Sequence, residues 1–172
     1  MDQRDAIWKE THELRYNVSY TEAVEKALLA RWTWVDSITK IAVAMSSASS
    51  ALAGLVFWKN SAYTFLWPLF TSVSALLAII SKQLSVAEKL SEHAAAVAEL
   101  SSLSLDIETL IVRMKINSEF VIADFEKKLL ALRARYRLEI RKSRYDLLLT
   151  RKMRAQVQLK VDAQEHRNEQ AE

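Results

Sequence analysis

The chain has 172 residues, and its 24 Lys and Arg against 21 Asp and Glu leave a net charge of only +3. It contains no Cys, one Gly and one Pro. The missing cysteines exclude a disulfide framework and thiolate metal sites, and a single Gly excludes a glycine-rich phosphate loop. Because residues that break helices are so scarce, strands and turns have little to be built from, and the composition predicts an all-α fold.

The N-terminal segment, residues 1–18, has the pattern of a short amphipathic helix. Apolar and small side chains recur near one helical face at Ile7, Trp8, Thr11 and Leu14. The tetrapeptide Asn17-Val18-Ser19-Tyr20 predicts an interruption, and Ser19 followed by Glu22 matches a capping box, which starts a new helix. We therefore predict a second helix that begins at residue 19 and runs towards Trp58. The charged start of the chain is unlike a cleavable signal peptide.

Two uncharged stretches dominate the middle of the chain. Ile41–Trp58 has eighteen residues and Asn60–Ser81 has twenty-two, and only Lys59 separates them. A helix needs about twenty apolar residues to cross the hydrocarbon core of a bilayer. The lengths therefore predict a two-pass transmembrane hairpin within residues 19–84, with TM1 at about 38–58 and TM2 at about 61–82. The serines of the first stretch leave a buried core helix as the alternative.

Aromatic and basic residues mark both ends of these stretches, where bilayer headgroups would lie. The predicted membrane-interface residues are Trp32, Trp34, Lys40, Trp58, Lys59, Tyr63, Trp67 and Lys82. Asp36 and Lys40 lie four residues apart, a spacing that predicts an ion pair on one helical face. Only one basic residue lies between the spans, whereas six precede and seventeen follow them. The positive-inside rule then predicts that both termini face the cytoplasm.

Small and hydroxyl-bearing residues lie inside both predicted spans. The candidate residues are Ser46, Ser49, Ser50, Gly54, Thr71 and Ser74. Ser46, Ser50 and Gly54 recur every four residues, a spacing that allows helices to approach closely in lipid. Two interpretations stay open: these residues pack helices against each other, or they line a pore formed when several hairpins assemble.

Residues 85–172 are predicted to form a cytoplasmic helical hairpin. Apolar residues recur at three- and four-residue steps from Val86 to Met114, close to a coiled-coil seam. A second stripe runs from Phe125 to Leu147, and Asn117 can end one helix before Ser118 caps the next. We therefore place a turn near residue 117. The polar tail from residue 155 carries no stripe, and we expect it to fray.

Charge divides the two arms of this predicted hairpin. Residues 82–126 hold four basic and eight acidic side chains, whereas residues 127–154 hold eleven basic and two acidic ones. Complementary charge favours an antiparallel pairing of the arms. Five arginines then form a predicted stripe: Arg133, Arg137, Arg141, Arg144 and Arg151. The stripe suits an anionic ligand or an acidic partner. The alternative is a structural role in pairing with glutamates.

No catalytic constellation is present in the sequence. His12, His93 and His166 lie far apart, and no metal-ligand spacing of the HExxH kind occurs. His93 lies among alanines near the apolar seam, where a packed or polar role in the seam is the expected one. The sequence predicts a protein that is not an enzyme and that needs no cofactor or metal.

Four features of the chain together resemble the SLATT class. They are the Arg15-Tyr16 pair with Tyr20, the Trp32-Thr33-Trp34 segment that precedes TM1, the two-pass hairpin, and the long helix that follows it. This class consists of small two-transmembrane effectors of prokaryotic conflict systems, which act in defence against phage. The resemblance covers most of the chain. It implies an inner-membrane protein that permeabilises the membrane of an infected cell and is triggered by a separate sensor protein, a nucleotide or RNA.

Two functions are therefore predicted. In the first, the chain forms homo-oligomers through its coiled coil and TM1, and the spans surround a pore in the lipid bilayer. In the second, the spans are only an anchor, and the basic helix of the cytoplasmic hairpin is an adaptor that binds a protein or a nucleic acid.

Overall fold

The structure, a computed structural model, describes residues 3–56, 68–69, 72–73, 75–76, 79, 82, 85–116, 121–142 and 146–171. Side chains are described throughout these ranges except at 46–56, 142 and 168–171. The described elements are four helices: α1 (Gln3–Val56), α2 (Val86–Ile116), α3 (Ile122–Lys142) and α4 (Arg151–Ala171). The all-α prediction is therefore confirmed for the described residues.

Helix α1 is continuous where the sequence predicted an interruption. Residues 17–20 are helical, and no boundary separates residues 1–18 from the residues that follow. The reason is a heptad-like stripe that crosses the predicted break, with alternating four- and three-residue steps through Ile7, Thr11, Leu14, Val18, Thr21, Glu25 and Leu28. Burial of this stripe outweighs the weak helix propensity of Asn17 and Ser19.

The chain divides into two compact units, residues 1–29 with 92–172 and residues 30–91. In the first unit, Leu14 and Val18 of α1 pack with an apolar cluster on the neighbouring helices, formed by Leu100, Leu103, Ile107 and Ile111 of α2 and Leu129 of α3. Helix α2 runs antiparallel to α1, since Arg4 donates to the Met114 carbonyl and Ser101 donates to Glu22. The start of α1 is thus a core element of this unit.

Helices α2 and α3 pack antiparallel in the same unit. Phe125 of α3 packs with Leu110 and Met114 near the end of α2, while Arg135 reaches back to Glu99. The acidic arm therefore lies against the basic arm, the pairing that the division of charge favoured. Helix α2 ends at Ile116, and the predicted turn residues Asn117 and Ser118 lie outside the described residues.

Residues Arg151–Ala171 form helix α4, where the sequence predicted a frayed tail from residue 155. Thr150 accepts from the Met153 amide with its side chain, 3.3 Å away, and thereby caps the helix. Met153, Val157 and Val161 then recur every four residues and pack on Val24 and Leu28 of α1. The tail does carry an apolar stripe, a short one that begins before residue 155.

The second unit, residues 30–91, has both buried and exposed large apolar side chains. Trp32 is buried, with 2% of its surface exposed, whereas Trp34 is 67% exposed. Ile41, Met45 and Leu76 are exposed as well. Large exposed apolar surfaces mark interaction sites. Lys40 pairs with Asp36 at 2.6 Å, as predicted.

The predicted two-pass membrane fold is nevertheless wrong for the part of the chain that the structure describes. Across the described ranges, none of the helices combines the length and the apolar character that crossing a membrane requires. Charged residues recur along α1 up to Lys40, and serines interrupt the apolar run that follows. The predicted pore-forming function and inner-membrane localisation depended on these spans and are corrected with them.

The structure describes only some of the residues predicted for the membrane interface and the pore. Trp32 is buried in protein rather than at a headgroup boundary, and Trp34, Lys40 and Lys82 are exposed. The remaining interface residues lie outside the described residues: Trp58, Lys59, Tyr63 and Trp67. Thr71 and Ser74 lie outside them too, and of Ser46, Ser49, Ser50 and Gly54 only the helical backbone is described.

Candidate functional site

The five arginines predicted as one stripe do not lie on one helix. Arg133, Arg137 and Arg141 belong to α3, whereas Arg151 begins α4 beyond an intervening turn. Arg144 lies outside the described residues. The structural alternative holds for Arg133, because its guanidinium donates to Glu10 of α1. Binding of an anionic ligand or an acidic partner stays a prediction for Arg137, Arg141 and Arg151, which are exposed.

Arg135, which the sequence interpretation left out, connects the two arms of the hairpin. Its guanidinium donates to Glu99 at 2.8 Å and to Asp106 at 2.6 Å, both on α2. The hydrogen bond to Glu99, followed by that to Asp106, raises the pKa of Arg135 above its ordinary value. Both ion pairs are partly exposed, so each stabilises the hairpin modestly.

The outward surface of α3 mixes cations with apolar side chains. We call the exposed residues Lys127, Leu130, Ala134, Arg137, Leu138 and Arg141 the outer face of α3. Their three- and four-residue spacing places them on one side of the helix. Leu138 is 59% exposed between two arginines. On the opposite side, Phe125 and Leu129 are buried.

A buried chain of two carboxylates and one imidazole lies inside the first unit. Glu25 Oε2 lies 2.6 Å from His93 Nδ1, and His93 Nε2 lies 3.1 Å from Asp146 Oδ2. The three side chains are 0%, 6% and 4% exposed, respectively. They join α1, α2 and the segment before α4, so three separate parts of the chain meet at one imidazole.

Each ring nitrogen of His93 lies within hydrogen-bond distance of a carboxylate oxygen. Asp146 is held further by the Leu148 amide, which donates to Oδ1 at 2.7 Å. Glu25 Oε1 has no hydrogen-bond partner among the described residues. The carboxylates lie at opposite edges of the ring, and the described residues contain no cluster of three or more ligands for a metal ion.

The sequence pointed to His93 as a polar residue of the seam, but it did not point to Glu25 or Asp146 as its partners. A signal for Glu25 was present, since it occupies the heptad-like stripe of α1 between Val18 and Leu28, where a carboxylate needs a partner. No comparable signal exists for Asp146, which lies in a non-helical segment and reaches His93 only through the tertiary fold.

Three of the residues on which the SLATT resemblance rests, Arg15, Tyr16 and Tyr20, lie at the contact between α1 and α4. Arg15 pairs with Glu165, and the Tyr16 hydroxyl donates to Asp162 Oδ1 at 2.6 Å. Tyr20 packs beside the apolar cluster of the two helices. The hydrogen bond to Asp162, assisted by desolvation, raises the pKa of Tyr16. These side chains therefore have a structural role in this unit.

Replacing Tyr16 by phenylalanine will reduce the loss of stability at alkaline pH. Because the folded-state pKa of Tyr16 is raised, the unfolded state ionises first, and stability that is complete below about pH 10 falls as pH rises through the folded pKa. The variant lacks this ionisation. Urea unfolding monitored by circular dichroism between pH 8 and pH 11 will show a shallower decline.

Tyr20→Phe is the control for this prediction, since Tyr20 lies one turn away in the same cluster. An unchanged slope in the Tyr16→Phe variant would show that the hydrogen bond to Asp162 does not govern this ionisation. Tyr136 contributes in the same direction in both variants, because burial raises its pKa.

No family model, curated protein or solved structure matches this chain.

Proposed function

We propose that the chain is an adaptor that binds an acidic, amphipathic helix of a protein partner through the outer face of α3. The observation that carries the proposal is the alternation of exposed leucines with exposed arginines on that face. Membership of the SLATT class and a role in phage defence remain predictions from the sequence, as does the absence of enzymatic activity.

Charge supports an acidic partner. Residues 127–154 carry eleven basic and two acidic side chains, and α2 offsets only part of this excess. Arg133 and Arg135 are used within the fold, whereas the three cations of the outer face of α3, Lys127, Arg137 and Arg141, are exposed. Opposite charge on a partner steers its approach and fixes its orientation.

The exposed leucines support a protein partner over a nucleic acid. Leu130 and Leu138 are 56% and 59% exposed, at positions where a phosphate-binding helix has no need of aliphatic side chains. An amphipathic helix buries such residues against its own apolar face, as in a coiled-coil contact. Arginines at the edge of the contact then pair with its carboxylates.

The test compares two probes of equal net charge, an acidic amphipathic helical peptide with a leucine face and a single-stranded oligonucleotide. We expect the peptide to bind the full chain more tightly, as measured by fluorescence anisotropy. Arg137→Glu with Arg141→Glu will weaken peptide binding about tenfold or more, since two attractions become repulsions. Leu138→Ala will weaken binding of the peptide and not of the oligonucleotide.

The matched control is Lys9→Glu with Lys160→Glu, which changes the net charge equally at two exposed sites on α1 and α4. It will lower peptide affinity much less. Equal losses in the two double variants, or tighter binding of the oligonucleotide, would contradict a specific protein-binding face on α3.

A further inference from the structure

Helix α2 carries a second heptad seam on the side opposite its core. Its core seam, His93, Ala96, Leu100, Leu103, Ile107, Leu110 and Met114, is buried. An outer seam with the same alternating three- and four-residue steps consists of Ala98, Ser102, Leu105, Thr109, Val112 and Ile116, and each of these residues is exposed. Its large apolar residues are Leu105, Val112 and Ile116. Such a repeat is the pattern of a coiled-coil contact with another helix.

The charges beside the outer seam identify the helix that fits it. Glu108 precedes Thr109 on one flank, and Arg113 follows Val112 on the other; both are exposed. In a parallel pair of α2 helices, Glu108 of each copy faces Arg113 of the other, the pairing that favours parallel dimers. An antiparallel pair aligned over the whole seam would instead place Glu108 opposite its own symmetry mate, and likewise Asp106.

We infer that the outer seam of α2 binds a second copy of this chain in a parallel, two-fold symmetric dimer. The seam is self-complementary, as a two-fold interface requires. Its first two positions, Ala98 and Ser102, have small side chains, which let the helices approach closely, and Leu105, Val112 and Ile116 supply the apolar contact. The outer face of α3 is a separate surface, so dimerisation does not depend on the proposed adaptor function.

Sedimentation equilibrium of the full chain tests the inference. We expect the wild-type chain to dimerise and Leu105→Asp to be monomeric, because a carboxylate then occupies the centre of the seam. Glu108→Arg alone and Arg113→Glu alone will each raise the dissociation constant of the homodimer about tenfold or more, since two attractive pairs per dimer become repulsive.

The decisive experiment mixes the Glu108→Arg variant with the Arg113→Glu variant. In a parallel dimer the mixture restores both pairs, one native and one reversed, so the heterodimer will regain wild-type affinity; the double variant will regain it as a homodimer. A monomeric wild-type chain, or a dimer that Leu105→Asp leaves intact, overturns the inference. A mixture that stays as weak as its components overturns the parallel arrangement. Leu159→Asp, at an exposed leucine on α4, is the control and will leave the dimer unchanged.

Discussion

Replacing Glu25 by alanine will lower the free energy of unfolding of the first unit by about 3–5 kcal/mol. The carboxylate is fully buried and lies 2.6 Å from His93 Nδ1. Its removal leaves one ring nitrogen of a buried imidazole without an acceptor and opens a cavity beside Leu28. Urea unfolding of the full chain monitored by circular dichroism measures the change.

Glu13→Ala is the control, since Glu13 lies on the same helix but is exposed; its effect will stay within about 0.5 kcal/mol. A double-mutant cycle separates the contact from the cavity. Glu25→Ala and His93→Ala together will destabilise the unit by less than the sum of the single changes, because each single change already breaks the pair. Strict additivity would show that the two side chains are not coupled.

Replacing Leu103 by alanine will lower the free energy of unfolding by about 2–5 kcal/mol, whereas Leu105→Ala will change it by less than about 0.5 kcal/mol. The two leucines are two residues apart on α2 and nearly opposite around the helix. Leu103 is 0% exposed within the cluster of α1, α2 and α3, while Leu105 is 64% exposed. The truncation at residue 103 leaves a cavity that packed neighbours fill only in part.

This leucine pair tests which side of α2 is the core. The measurement is urea unfolding in dilute solution, where self-association does not contribute to the free energy. Similar losses at the two positions would mean that both faces of α2 are buried within one copy. A larger loss at residue 105 would reverse the assignment of the seams.

Periodicity predicted much of the first unit. Of the apolar residues predicted as the stripe along α2, Val86, Leu100, Ile107, Ile111 and Met114 are buried, Leu90 and Val97 are half-buried, and Ala94 is exposed. The division of charge between the two arms favoured an antiparallel hairpin. In the structure, Arg135 of α3 forms ion pairs with Glu99 and Asp106 of α2. The stripe predicted on α3 is wrong at its last residue, Leu147, which is 81% exposed. Helix α3 ends at Lys142, so helical periodicity does not apply at residue 147.

Other features required the tertiary fold. Helix α4 has low apolar content, and only the presence of α1 as a partner explains why Val157 and Val161 are buried. The arginine stripe assumed one continuous helix, although a turn separates Arg141 from Arg151. In the uncharged middle stretches, the composition indicates that apolar surface is to be buried, but it does not show whether lipid or protein buries it.

The first part of α1 is a buried core element of its own chain, and both the packing of α2 and the Glu25–His93 pair depend on it. Amide hydrogen exchange on the full chain, read by mass spectrometry of its peptides, tests this most directly. We predict the slowest exchange in residues 11–28 and 96–114, which line the apolar clusters, and faster exchange in the last turns of α4. Rapid exchange of residues 11–28 while residues 96–114 stay protected would contradict the packing of α1 and, with it, the buried Glu25–His93 pair.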